Sequence, residues 1–312
     1  MTKCLGVNTP VIMFDGSIKM VKDIKINDLI MADDFTSINI VSTSFQNGEM
    51  FKVITRTGDY YVVNSGHNLT FKISKYIIPA GDNCVLVWGD KNGTVIHKNF
   101  DFYEDAKKEL DILPEFVDLP VLMCIEKNKN RYWQKHFRVI YTTLDFPEKK
   151  LEINPYTFGE ILVGANRFSN LKNTIAYFKF VYSKHIPVKY KNSSREQRLK
   201  LLAGMIDMSG RLTPNNNYEI ILKKSGKIFE DIFFIAKSLG LYVFMREKNI
   251  VCISCACINE IPVLITKKPT DVCERFGHLL SAVRIVSIGR GKYNCLEIED
   301  NKRIILGNFI IT

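Results

Sequence analysis

The sequence predicts a mainly β chain interrupted by a mixed α/β segment, and three observations carry that class. Residues 4–125 are dense in β-branched and aromatic runs joined by Asp15-Gly16 and Gly58-Asp59 turns. Residues 130–284 change to helical periodicity, centred on Leu201-Leu202-Ala203-Gly204-Met205-Ile206-Asp207-Met208-Ser209-Gly210. Residues 292–312 return to a strand pattern. With 312 residues, 46% hydrophobic and 24% charged, the chain has length for two domains and an ample core.

Taken in order, Thr9-Pro10-Val11-Ile12-Met13, the Asp15-Gly16 dipeptide and residues 18–24 read as a hairpin. Residues 51–55 read as a strand that turns at Gly58-Asp59 and runs back through 60–63. Between 84 and 125 the pattern blurs, and 119–123 reads as a last strand before the polar loop Lys127-Asn128-Lys129-Asn130-Arg131. Further on, Ser193-Ser194-Arg195-Glu196 carries a Ser-x-x-Glu helix-start signal. Beyond it Leu199, Leu202, Met205 and Ile206 share one helical face, and the small pair Ala203-Gly204 predicts close packing against another helix. A strand at 218–222, an amphipathic helix at 228–239 and strands at 241–246 and 250–257 follow.

The formal net charge of +10 favours a polyanionic partner, with nucleic acid, double-stranded DNA included, the first candidate; a lysine-rich surface that only aids solubility is the plain alternative. No apolar run approaches the ~20 residues of a membrane span, and Met1-Thr2-Lys3-Cys4 has no signal-peptide character. Eight scattered cysteines do not make a disulfide scaffold for this length. Cys252, Cys255 and Cys257 lack a second cluster or a nearby histidine, which is poor zinc spacing, so no metal is assigned. Reduced thiols in an intracellular, reducing compartment, cytoplasm or nucleus, are expected.

Several blocks match known patterns. Cys4, Thr9-Pro10-Val11, Asp15-Gly16, Val21, Asp23-Ile24 and Asn27-Asp28 resemble the first splicing block of an intein, the N-terminal half of a Hint domain, with Asn27 where that family usually has Gly. Asn64-Ser65-Gly66-His67 resembles its Thr-x-x-His block, Asn64 standing for Thr. Residues 292–301 and 303–312 resemble the C-terminal intein strands, with Asp300-Asn301 as their hairpin turn, Cys295 where many members have Asp, and Lys302 where His is frequent. Residues 201–210, led in by Lys184-His185-Ile186-Pro187 and Arg198-Leu199, resemble the second signature helix of LAGLIDADG homing endonucleases. Residues 155–166 are similar to the first such helix, and Ile261-Pro262-Val263-Leu264 with Lys267-Lys268 closes the second repeat as that family does.

The resemblance implies an all-β, horseshoe-like Hint splicing domain in two parts, 4–127 and 285–312. A LAGLIDADG-type endonuclease domain at 128–284 interrupts it, and flanking host or vector residues stand at 1–3. The implied reaction is self-excision from a host protein in cis, by a monomer and without a cofactor. Cys4 forms a thioester at the Lys3–Cys4 bond, because a thiolate can attack its own preceding carbonyl. His67 is the candidate to protonate the leaving amine at neutral pH, the plain alternative being a surface histidine. Asn64 is expected to hydrogen-bond the same amide, and Cys295 is either a proton carrier in later steps or a buried strand cysteine. The family's terminal His-Asn would come directly after Thr312; without it, C-terminal cleavage and ligation are not expected.

The endonuclease half carries two defects. About 35 residues between Asn166 and Leu201 are too few for the four-stranded sheet of a first repeat. The metal-holding acid that ends each signature helix aligns with Ser209 in the second and with Gly164 or Ala165 in the first, while Asp207 matches an earlier structural position. Hard divalent cations need oxygen ligands there, so DNA cleavage is expected to be lost. Mg2+ would matter only if it were not, through a recruited Asp207 or Glu160. The rival readings are an active endonuclease, a DNA-binding relic, and a hedgehog-type autoprocessing domain, the last opposed by the inserted helices and residues 306–312.

Overall fold

The computed structural model describes residues 2–81, 83–164, 185–222, 226–254, 258–269, 279–299 and 302–312. The chain divides into two compact units, Met1–Tyr141 with Leu279–Thr312, and Thr142–His278. The first begins with β1 (Thr2–Gly6), β2 (Pro10–Ile12), β3 (Ile18–Met20), β4 (Leu29–Met31), β5 (Ser37–Thr55), β6 (Tyr60–Asn64), β7 (Asn68–Ile73), β8 (Lys75–Ala80), β9 (Asn83–Gly89) and β10 (Val95–Phe100). Then come α1 (Tyr103–Ile112), β11 (Phe116–Pro120), α2 (Val121–Lys127), α3 (Arg131–His136) and β12 (Phe137–Ile140). The second unit holds α4 (Pro155–Gly164), α5 (Val188–Lys191), α6 (Arg195–Ser209), β13 (Gly210–Leu212), β14 (Tyr218–Ile221), α7 (Lys227–Ser238), β15 (Tyr242–Glu247) and β16 (Ile250–Ser254). β17 (Leu280–Ser281) and β18 (Val283–Ile298) return to the first.

Among the described residues, the first unit is built on a sheet of order β18-β1-β6-β5-β4, in which β18 also pairs with β5 from Thr55↔Val283 to Ile40↔Ile298. Alternate residues of its strands, Leu5, Val53, Val63 and Leu296 among them, are buried, as period-two patterning requires. Two predicted turns form as read: Gly16 and Gly58 adopt φ of 78° and 88°, the left-handed region glycine tolerates, and Asp15 Oδ1 accepts from Ser17 N–H. β2 and β3 pair as the expected hairpin, but the strand stops at Met20, and Val21–Asp23 makes a 3-10 turn that buries Val21.

Two expectations for this unit are corrected. Residues 119–123 do not form one strand: β11 ends at Pro120, which has no N–H to extend a ladder, and Val121 opens α2 with its N–H donating to His67 O at 2.9 Å. The chain also stays in this unit beyond residue 127. β12 pairs with β7 at Phe137↔Ile73 and with β17 at Val139↔Ser281, so the unit ends at Tyr141 and resumes at Leu279 rather than breaking at 127/128 and 284/285.

In the second unit Pro155 stands at the first helical position of α4, where a missing N–H costs nothing, and Asn154 Oδ1 accepts from Tyr156 N–H at 3.0 Å. The α6 cap lies one residue later than the sequence pattern suggested. Ser194 and Gln197 exchange the two capping bonds, and Ser193 Oγ instead donates to Tyr190 O at 2.8 Å. Leu199, Leu202, Met205 and Ile206 are buried, as their spacing predicts. α4 and α6 meet backbone to backbone: a Cβ at Gly204 would stand 2.0 Å from Tyr156 O, and one at Gly159 2.2 Å from Leu201 O. A sheet of order β13-β14-β16-β15 and helix α7 complete the unit among its described residues. The predicted strand 250–257 is present as Ile250–Ser254; Cys255, Cys257, Ala165, Asn166 and the Asp300-Asn301 turn lie outside the described residues.

Candidate active site

β1 lies between β18 and β6, and its antiparallel register sets Cys4 directly across from Cys295. The Cα atoms are 4.0 Å apart and the two sulfurs are joined in a disulfide. Met50 and Tyr293 with Cys295 form the buried bed against which Cys4 and Val62 pack. The expectation of reduced thiols is thereby corrected at these two positions. Nothing local in the sequence marks the pair, since 291 residues separate them and only the β1–β18 ladder joins them. Cys84, Cys124 and Cys252 are free and buried.

His67 follows the turn after β6 and is 3% exposed, not a surface histidine. Its ring hydrogen-bonds the Cys4 backbone, and its Nε2 shares a hydrogen bond with Thr312 Oγ1 at 2.8 Å. Burial, and then the charge of Lys3, push its pKa down to about 3 against the pull of the Cys4 hydrogen bond. The ring is therefore a neutral imidazole at pH 7, with one donor and one acceptor nitrogen. A stability consequence follows. The unfolded histidine binds a proton below its ordinary value of 6.5 and the folded one only near 3, so stability present above 6.5 is lost as pH falls through that window. The expected slope is about 1.4 kcal/mol per pH unit. Denaturant melts from pH 7 to 4 check it: His67→Gln should flatten the decline, and an unchanged slope would assign the acid sensitivity to other groups.

Asn64 ends β6, one residue past the Leu5↔Val63 pairing. It is buried and its Oδ1 has no hydrogen-bond partner among the described residues, so no bond from that oxygen to the Cys4 amide is formed. The fold thus brings His67 and Cys295 each against Cys4, and Asn64 stands one residue past the Leu5↔Val63 pairing. Lys302 stands instead with Asp34 Oδ2 at 3.0 Å and Thr36 Oγ1 at 2.7 Å.

Three further residues of this site lie in or beside the matched blocks, but no pattern singled out their side chains. Thr312 is buried, exchanges backbone hydrogen bonds with Ile304, and meets His67. Lys3 is 3% exposed; burial lowers its pKa, Arg303 works the same way, and Asp118 and Asp33 oppose both. Buried Asn294 donates through Nδ2 to Val21 O at 3.2 Å, tying β18 to the turn after β3. Tertiary contacts, not local pattern, reveal them.

In the second unit both oxygens of Asp207 are occupied. Oδ2 accepts from Tyr156 Oη at 2.8 Å and Leu264 N–H at 2.6 Å, and Oδ1 from Thr266 N–H at 2.6 Å. Burial resists its ionisation, but these hydrogen bonds outweigh it and hold the carboxyl below its usual range. Glu160 is raised, first by burial and then by the Asp207 charge. Ser209 ends α6 with a buried Oγ that has no partner among the described residues. At Gly164 a Cβ would stand 2.4 Å from Met208 Cγ, so the position is closed by that side chain. Glu219 on β14, buried, takes Arg211 Nε at 2.8 Å and Arg246 Nη1 at 2.6 Å. Among the described residues no three His, Cys, Asp or Glu side chains gather as a metal site, and no helix is long and apolar enough to cross a membrane.

No family model matches the sequence, and no curated protein matches it. Among solved structures, the chain is similar to the gp41-1 intein at 16% identity, over 22% of this chain and 52% of that one, with a TM-score of 0.20. It is similar to the MchDnaB-1 intein at 19% identity with the same two coverages and the same score. The Msm DnaB1 intein splicing domain bound with zinc also matches at 19% identity, over 22% of this chain and 53% of that one, again at 0.20. The match spans about half the length of each structure.

Proposed function

We propose that this chain is an intein: a self-excising splicing element whose first unit cleaves the Lys3–Cys4 peptide bond by an N-to-S acyl shift. The observation that carries the reading is the contact between the His67 ring and the backbone of Cys4, inside a site that also buries Lys3 and Thr312. Sγ of Cys4 attacks the Lys3 carbonyl carbon, the new C–S bond replaces the C–N bond, and one proton passes from sulfur to the departing nitrogen. The His67 ring is held against the Cys4 backbone, where it is positioned to hydrogen-bond the reacting segment as that proton moves. No cofactor enters the balance.

The disulfide adds a condition. Cys4 has no nucleophilic sulfur while bound to Cys295, so the acyl shift follows reduction. Asn64 then borders the reacting peptide without a hydrogen bond from its Oδ1, and Cys295, once reduced, is a thiol directly across from the nucleophile. Downstream transfer to a host nucleophile, asparagine cyclisation and the final acyl shift are what the intein resemblance implies, with the host protein in cis as the partner.

The second unit reads best as a degenerate LAGLIDADG-type domain. Its paired helices cross at Gly159 and Gly204, but Ser209 and Gly164 offer no carboxylate and Asp207 spends its oxygens on internal hydrogen bonds. These donors do not fit Mg2+, which needs several free oxygen ligands. A DNA-binding relic is the second reading, favoured by the net charge of +10.

The test is a reporter fused ahead of Lys3 and incubated with dithiothreitol. Release that needs both reductant and Cys4, and falls at least about a hundredfold in His67→Ala, is expected, given the 10²–10⁴-fold typical of positioned proton transfer. Equal release from Cys4→Ala would refute the reading.

A further inference from the structure

We propose a phosphate-binding site in a hollow of about 680 Å³ in the first unit, at the turn between α2 and α3 and the neighbouring ends of β5 and β18. Four cations line it: Arg56, Lys129, Arg131 and Arg284, and no carboxylate does. Arg56 follows β5, and Arg284 is the second residue of β18, at the Ile54↔Arg284 rung, so the ladder sets these two residues at one end of the ribbon. Arg56, Arg131 and Arg284 are exposed and form no ion pair among the described residues; Lys129 shares its charge with Glu126 at 2.8 Å. Uncompensated cations converging on one hollow hold a positive potential there.

The independent observation is Asn128, which lines the same hollow and is 5% exposed. Its amide orientation is fixed by Gln134, whose Nε2 donates to Asn128 O at 2.6 Å and to Asn128 Oδ1 at 3.1 Å. Asn128 Nδ2 is left without an acceptor among the described residues. A buried donor in a native fold is almost always satisfied, and the cationic neighbours have no lone pair to offer. An oxyanion supplies both missing quantities at once, a hydrogen-bond acceptor for the amide and a charge opposite to the rim. Phosphate fits better than a carboxylate, because its several oxygens can meet guanidinium forks from two sides while accepting from the amide. The source is either a free polyphosphate or the phosphodiester backbone of a nucleic acid. Neither the splicing chemistry nor the second unit enters the inference.

Calorimetric titration of the full chain with tripolyphosphate, and separately with a short DNA duplex, tests it. Saturable tripolyphosphate binding is expected, weakened by about 10- to 100-fold in Arg131→Gln/Arg284→Gln and in Asn128→Asp, as loss of charge-assisted hydrogen bonds implies. Arg290→Gln, exposed on β18 outside the hollow, should bind as the parent does. Should Asn128→Asp fail to fold, the exposed arginine pair still decides the matter. Duplex binding that tripolyphosphate competes away and the arginine pair weakens identifies the backbone as the source; tripolyphosphate binding alone identifies a free polyphosphate. Absence of binding to both, or binding that the arginine pair leaves unchanged, overturns the site.

Discussion

Gly204→Ala is expected to destabilise the second unit by at least about 3–5 kcal/mol, lowering its melting temperature on the order of 10–20 °C. The new Cβ would stand 2.0 Å from Tyr156 O and 2.8 Å from Tyr156 C, both backbone atoms that no rotamer change can move aside. Relief requires α4 and α6 to separate, and the separation unpacks Phe158, Ile161, Leu202 and Met205, all buried near that crossing. Helix propensity works the other way, since Ala is the better helix former by about 1 kcal/mol, and it is too small to compensate. Gly159→Ala should behave alike, its Cβ meeting Leu201 O at 2.2 Å. Calorimetry reads the effect directly. A melting temperature within two or three degrees of the parent's would mean the two helices do not cross where described.

Cys295→Ser is expected to abolish the dependence of reporter release on prior reduction of the chain. With Cys295 present, oxidation ties the Cys4 sulfur into a disulfide buried against Met50 and Tyr293, and the nucleophile is absent until a dithiol exchanges it out. With serine there, no such partner lies across the ladder, and Cys4 stays a thiol after diamide treatment. The contrast should be near complete: an oxidised parent that releases essentially nothing with hydroxylamine as the only nucleophile, and an oxidised variant that releases as the reduced one does. A double variant lacking Cys4 as well should release under neither condition. If the oxidised parent and Cys295→Ser release equally, the disulfide does not control the step.

Residues that act through local pattern were legible, and residues that act through distant pairing were not. Gly16, Gly58 and the α6 stripe of Leu199, Leu202, Met205 and Ile206 obey turn chemistry or helical spacing within a few positions, and the structure places them as read. The α6 cap was misread by one residue because Ser193 and Ser194 both satisfy the pattern, and only Gln197 chooses between them. Only residues 51–55 of β5 were legible as strand. Its middle, residues 41–49, is largely solvent-facing and polar, and it is held extended by β18, whose matching residues lie far along the chain. The same distance hid the Cys4–Cys295 bond and the meeting of His67 with Thr312. His67 itself was found from its block, but its neutrality comes from burial, which a motif does not encode.

The splicing chemistry stands or falls on whether the Lys3–Cys4 amide becomes a thioester. Hydroxylamine added to the reduced chain captures an acyl group from a thioester far faster than from an amide, and mass spectrometry then locates the product. A hydroxamate on the carbonyl of Lys3, formed by the parent and missing from Cys4→Ala, is the expected result. An intact Lys3–Cys4 amide in reduced, folded protein after prolonged incubation, or cleavage at any other bond, would contradict it.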